Sequence, residues 1–73
     1  MKYELINTIY NGEKSIDADT YSCIITLYFK TNDSLALEFT KDITVINNNN
    51  QIGFDVDIQR QKAIDDFVNS INL

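Results

Sequence analysis

The ten residues Tyr21-Ser22-Cys23-Ile24-Ile25-Thr26-Leu27-Tyr28-Phe29-Lys30 decide the fold. Tyr21, Cys23, Ile25, Leu27 and Phe29 share one parity, while Ser22, Thr26 and Lys30 share the other. That period of two is the pattern of a strand with one face buried. Toward the C-terminus, Asn32-Asp33-Ser34 interrupts it as a turn. The apolar positions then resume at Leu35, Leu37 and Phe39 and continue through Ile43 and Val45 on the same parity. One long strand, bent or bulged near Lys41-Asp42, accounts for this run.

Loop lengths test that reading, because a slip of one residue would turn every apolar side chain to the other face. A three-residue loop at Asn32 to Ser34 sets Thr31 opposite Leu35, Phe29 opposite Leu37 and Leu27 opposite Phe39. Asn47 to Asn50 reads as a second hairpin loop, since asparagine tolerates left-handed backbone and bonds to its neighbours. It sets Val45 opposite Ile52 and Ile43 opposite Phe54. Both loops place the apolar side chains on one face, which predicts an antiparallel β-meander with the odd-numbered positions inward.

Upstream, Lys2 to Tyr10 is also strand-like and ends at the turn signal Asn11-Gly12. It either forms a tight hairpin with Lys14 to Thr20, or leads through an open acidic loop, Glu13 to Asp19, to the Tyr21 strand. The second arrangement is preferred because Asp17-Ala18-Asp19 is a poor strand former. At the other end the period changes. Ile64, Phe67, Val68 and Ile71 stand at i, i+3, i+4 and i+7, the stripe of an amphipathic helix. The spacing predicts a helix from about Ile58 to Asn72 with Asp57 as N-cap. The expected fold is therefore α+β: a meander of about four strands packed on one face by a C-terminal helix, in a single domain.

The 73 residues leave room for one small core. Domains of this size often take support from disulfides, metals or oligomerisation. Cys23 is the sole cysteine, so no internal disulfide can form, and the composition suits the cytoplasm. No stretch approaches the roughly 18 apolar residues of a membrane span. Eleven acids against six bases give a net charge of -5, opposite to the basic footprint that phosphate backbones require, so direct nucleic-acid binding is not expected.

Catalysis is not expected either. The chain has no histidine to act as base or ligand, and Cys23 lies on the core parity, where thiols are usually inert. The pairs Asp17/Asp19, Asp55/Asp57 and Asp65/Asp66 match no calcium-loop pattern and are read as solvation and capping. Gly12 reads as a turn residue and Gly53 as a bulge or a point of close backbone approach. No cofactor or metal site is expected.

If the odd parity is buried, the even parity faces outward, and it carries Ile6, Tyr10, Ile24, Tyr28 and Ile46 among Thr8, Thr26, Glu38, Thr40 and Thr44. Tyrosine suits binding surfaces because it offers large area, little rotamer entropy and a polar tip. Tyr10, Ile24 and Tyr28, with the acids Glu38, Asp42, Asp17 and Asp19, form the expected partner-binding set. The small size, acidity, missing histidine and tryptophan, and Asn-rich hairpin resemble those of small anti-defence proteins of bacteriophages and mobile elements, including anti-CRISPR inhibitors. That resemblance implies an inhibitor whose acids face a basic, nucleic-acid-handling protein while tyrosines anchor it. Two alternatives come from other classes: a self-assembling subunit that uses the same patch as an oligomer contact, and a small-ligand sensor that uses the crevice between sheet and helix.

Overall fold

The Tyr21 stretch forms the middle of the sheet. In the computed structural model, which describes residues 2–48 and 56–73, strand β2 (Thr20–Thr31) lies between β1 (Tyr3–Ser15) and β3 (Glu38–Asn48). Both pairings are antiparallel, and a helix α1 (Val56–Ile71) comes after them. The alternation holds along β2: Cys23, Ile25, Leu27 and Phe29 are buried, whereas Ile24 between them is exposed. With Val45 of β3 and Ile64 of α1 they form the core, and Tyr3, Leu5, Ile43, Ala63, Phe67, Val68 and Ile71 pack around it. Each large side chain buried there contributes about 1.5–3 kcal/mol against the entropy of ordering the chain.

The β2–β3 connection differs from expectation by two residues. Phe29 lies opposite Phe39 and Lys30 opposite Glu38, so the loop is Asn32 to Leu37. Local side-chain chemistry explains the extra length. The Asp33 carboxylate accepts from the Thr31 hydroxyl at 3.1 Å and from the Leu35 and Ala36 amides at 3.0 and 3.2 Å. Thr31 Oγ1 in turn accepts from the Leu37 amide at 2.9 Å, and the Thr31 amide donates to the Leu37 carbonyl at 2.8 Å. Asp and Thr here outcompete the ladder for the backbone groups. The bond from Thr31, followed by those from Leu35 and Ala36, holds the Asp33 carboxyl below its usual range.

A shift of two preserves parity, so the buried faces still coincide, but Leu35 and Leu37 now lie in the loop outside the strands. Leu35 and Leu37 are 70% and 59% exposed and Phe39 is 38% exposed. The burial expected at odd positions from 21 to 45 therefore fails at Leu35 and Leu37, which lie in the loop, while Phe39 keeps its inward place opposite Phe29 but stays partly open to solvent. Ala36 adopts φ +49°, a left-handed conformation that costs an L-residue about 1 kcal/mol. Ala36→Gly should accordingly raise stability by up to about 1 kcal/mol. A higher urea midpoint at unchanged m-value is the measurement that checks it.

The irregularities fall in β1 and not, as expected, near Lys41-Asp42, where the β2–β3 register is unbroken. Register shifts between Leu5 and Asn7 and between Asn11 and Glu13 make Ile6 and Gly12 the extra residues of two bulges. Gly12, at φ +64°, supplies the left-handed position such a bulge requires. Asn11-Gly12 is thus no turn: β1 runs on to Ser15, and the acidic loop shrinks to Ile16–Asp19. The Ile16 and Asp17 amides donate to the Thr20 carbonyl at 2.9 and 3.1 Å, and Asp17 Oδ1 accepts from the Asp19 amide at 2.9 Å.

Helix α1 begins at Val56, which puts Asp57 inside the first turn and not at the cap. Its stripe lands as expected, with Ile64 buried and Phe67, Val68 and Ile71 packed on the core. Two side-chain amides pin its ends. Gln59 accepts from Asn47 Nδ2 at 3.1 Å and from the Asn48 amide at 3.0 Å, and donates to the Asn48 carbonyl at 3.1 Å, as a neighbouring strand would. Asn72 accepts from the Lys2 and Tyr3 amides, both at 2.9 Å, and donates to the Tyr3 and Val68 carbonyls at 3.1 and 2.9 Å. The expected fourth strand, with its Ile52 and Phe54 pairings and the bulge at Gly53, lies outside the described residues.

The strands, at 13, 12 and 11 residues, are about twice the usual length. The radius of gyration is 14.1 Å and the extents are 48 × 22 × 15 Å, against about 11 Å for the radius of a compact chain of this size. One helix of about 24 Å lies on a sheet about 40 Å long, so among the described residues the opposite sheet face has no covering layer.

Candidate interaction surface

Residues directly opposite one another in antiparallel strands share a face, so the register lays out the uncovered side. Tyr28 stands between Asn7 and Thr40, Thr26 between Ile9 and Asp42, Ile24 between Asn11 and Thr44, and Ser22 between Lys14 and Ile46. Across the centre, Asn11 Nδ2 donates to Thr26 Oγ1, which donates to Asp42 Oδ1 at 2.7 Å. This polar ladder links all three strands and holds Asp42 in place. Around it Ile6, Ile9, Ile24 and Ile46 are about half-exposed, with Tyr28 partly buried among them. A cavity of about 370 Å³ opens beside Tyr28, walled by Ile6, Asn7, Glu38, Phe39 and Thr40.

The partner-binding set divides three ways. Ile24, Tyr28, Glu38 and Asp42 share the outer face, as expected. Glu38 lies at its end opposite Lys30, which also meets Glu4 at 3.6 Å, an exposed pair of small energetic value. Asp17 and Asp19 belong to the hairpin tip, about 25 Å along β2 from Tyr28 at a strand's rise per residue. The bond from the Asp19 amide holds the Asp17 carboxyl below its usual range.

Tyr10 is on the other face. The bulge at Ile6 reverses the parity of the residues after it, so Tyr10 lies opposite Ile25 on the helix side. There the Arg60 guanidinium sits 5.2 Å above its ring and also pairs with Glu13. Ile9 takes the outer position instead. The sequence did carry this signal: the aromatic and aliphatic positions move from odd at Tyr3 and Leu5 to even at Tyr10, the mark an inserted residue leaves.

The arrangement offers contact area and fixed hydrogen-bonding groups. Cys23 is buried, its sulfur 3.8 Å from the Ile24 carbonyl oxygen. Among the described residues no three His, Cys, Asp or Glu side chains converge on a metal-sized site, and no helix is long and apolar enough to cross a membrane. Fold and surface define an α+β chain: an open antiparallel sheet of three strands, backed on one side by a C-terminal helix. Comparison with known protein families, curated proteins and solved structures finds no match.

Proposed function

We propose that this chain is a non-enzymatic protein-binding module of the cytoplasm that docks through its outer sheet face, a small acidic inhibitor of the anti-defence kind. The supporting observation is the uncovered face itself, where Tyr28 and the half-exposed Ile6, Ile9, Ile24 and Ile46 are spread along the strands on either side of a polar ladder whose groups already bond to one another. A pre-organised surface of this kind loses little entropy on binding, and its amphipathic aromatic supplies area with a polar tip. Three strands spaced about 4.8 Å apart and some 36 Å long present roughly 500 Å² before side-chain relief is added, approaching the about 800 Å² per partner of a specific interface.

Charge sets orientation. The net charge of -5 draws the chain toward a basic partner such as a nucleic-acid-handling defence protein. Glu38 and the Asp17/Asp19 tip lie at opposite ends of the sheet, and Asp42 is held by Thr26. Acids so spread favour an apolar-centred contact with electrostatic steering over close imitation of a phosphate row.

The test compares capture by three immobilised proteins, each checked for wild-type circular dichroism. A partner retained by the wild type and by Asp17→Asn/Asp19→Asn should be lost from Ile24→Asp/Tyr28→Ala, with affinity falling about a hundredfold. Unchanged affinity of the sheet-face variant would retire the proposal.

A further inference from the structure

The outer edge of β3 carries unused backbone groups. The Thr31 amide donates to the Leu37 carbonyl, and the β2–β3 register runs on from there without a break. Backbone groups alternate in direction along an antiparallel strand, so odd-numbered β3 residues turn theirs to β2 and even-numbered ones turn theirs outward. Asn48 fits this, since its amide and carbonyl bond to the Gln59 side chain outside the sheet. Gln59 thus caps one end of the edge. At the other end the outward amides and carbonyls of Glu38 and Thr40 have no partner among the described residues, and every residue from Glu38 to Asp42 is exposed. The opposite edge of the sheet differs, because the bulges at Ile6 and Gly12 break the spacing of β1.

Side chains on both faces of this segment indicate what would lie beside it. On the helix side Phe39 is partly open, its ring edge to face with Tyr3 at 5.5 Å, next to a cleft of about 630 Å³ walled also by Thr31, Leu37 and Ile71. On the outer side Glu38, Thr40 and Asp42 form a row. Lys30, opposite Glu38, is engaged with Glu4 at 3.6 Å, and Glu38 makes no ion pair among the described residues. The surroundings are acidic as well: Glu4, Asp33, Glu38, Asp42 and Asp65 outnumber Lys2, Lys30 and Lys41 at this end. Opposite charges on facing strands favour pairing and like charges oppose it, so the row selects basic neighbours.

We infer that this edge takes an added antiparallel strand from a basic partner protein, an extended segment with Lys or Arg opposite Glu38 and Asp42 and an apolar side chain opposite Phe39. A strand's alternation meets all three demands. Its residues opposite Glu38, Thr40 and Asp42 fall on the outer face, whereas those opposite Phe39 and Lys41 fall on the helix face, where the apolar side chain enters the cleft. Main-chain bonds to Glu38 and Thr40 give affinity, and the alternate side chains give specificity. The contact adds to the outer-face reading without depending on it.

The probe is the capped peptide RTVFR, which sets its phenylalanine opposite Phe39 and its arginines opposite Glu38 and Asp42. Added to the whole chain at about four times its Kd, it should slow amide exchange at Glu38 and Thr40 about fivefold and leave Phe39 and Lys41, already bonded to β2, nearly unchanged. Thr40→Pro removes an outward donor without touching the β2 ladder, a change that edge strands tolerate, and should bind about tenfold more weakly at wild-type circular dichroism. The peptide N-methylated at its valine, and the peptide ETVFE, should each lose about tenfold on the wild-type chain. Ile24→Asp/Tyr28→Ala should bind RTVFR like the wild type. No binding by the wild type, or equal binding by Thr40→Pro, the N-methylated peptide or ETVFE, would overturn the inference. So would loss of binding in Ile24→Asp/Tyr28→Ala, which would assign the peptide to the outer face, or protection of Glu38 and Thr40 that grows with the chain's own concentration, which would assign the edge to a second copy.

Discussion

Phe29→Ala should destabilise the chain by about 3–5 kcal/mol, the largest loss expected from any single truncation. Phe29 is completely buried on the central strand, stacked on Phe39 at 5.3 Å and 18° and tilted against Phe67 of the helix at 6.0 Å. Its ring therefore joins β2, β3 and α1 at one point. A domain of this length has total stability of only about 4–11 kcal/mol, so the loss approaches the whole margin. Thermal and urea unfolding followed by far-UV circular dichroism should show a variant largely unfolded near 37 °C. Phe39→Ala, from a ring 38% exposed, should cost less than half as much. Equal effects would place the centre of the core nearer the cleft than the buried surface indicates.

Asn72→Ala should cost about 2–3 kcal/mol, an unusual amount for a polar residue one position from the end of the chain. Its side chain makes four hydrogen bonds, and three of them reach Lys2 and Tyr3 across almost the whole sequence. Truncation leaves partly buried amides and carbonyls without those partners, and each such loss exceeds the mean value of a bond. It also releases the start of β1 from the end of α1. Amide exchange at Tyr3 and Leu5 should accelerate more than at Ile25, and the unfolding midpoint should fall. The same substitution at exposed Asn69 should move stability by no more than about 0.5 kcal/mol. Similar effects at the two positions would show that the clamp contributes nothing.

These two residues mark how unevenly the sequence spoke. Phe29 was legible, because a clean alternation from Tyr21 names its own buried face. The helix stripe from Ile64 to Ile71 was legible for the same reason, and its extent came within two residues. Nothing around Asn72 announced a clamp, since a terminal asparagine is ordinary and its partners lie about 70 positions away. The candidate surface was half visible. Ile24, Tyr28, Glu38 and Asp42 belong to it by the parity of β2 and β3, whereas a regular β1 would put Tyr10 on the wrong side. The change of parity between Leu5 and Tyr10 was the available sign.

The chain's pattern of apolar residues determined by itself that an antiparallel sheet would form, which side of β2 and of the central part of β3 would be buried, and that a terminal helix would cover it. Those properties depend on local periodicity, and a register error of two residues leaves them unchanged. Tertiary structure alone decided the rest. Asp33 and Thr31 lengthened a loop and put Leu35 and Leu37 in water, the bulges at Ile6 and Gly12 turned Tyr10 toward Arg60, and Gln59 and Asn72 set where the helix rests. Apart from the parity change that marks the bulge at Ile6, each of these depends on hydrogen bonds between residues distant in sequence or on a loop length that leaves the hydrophobic rhythm unaltered, so periodicity does not contain them.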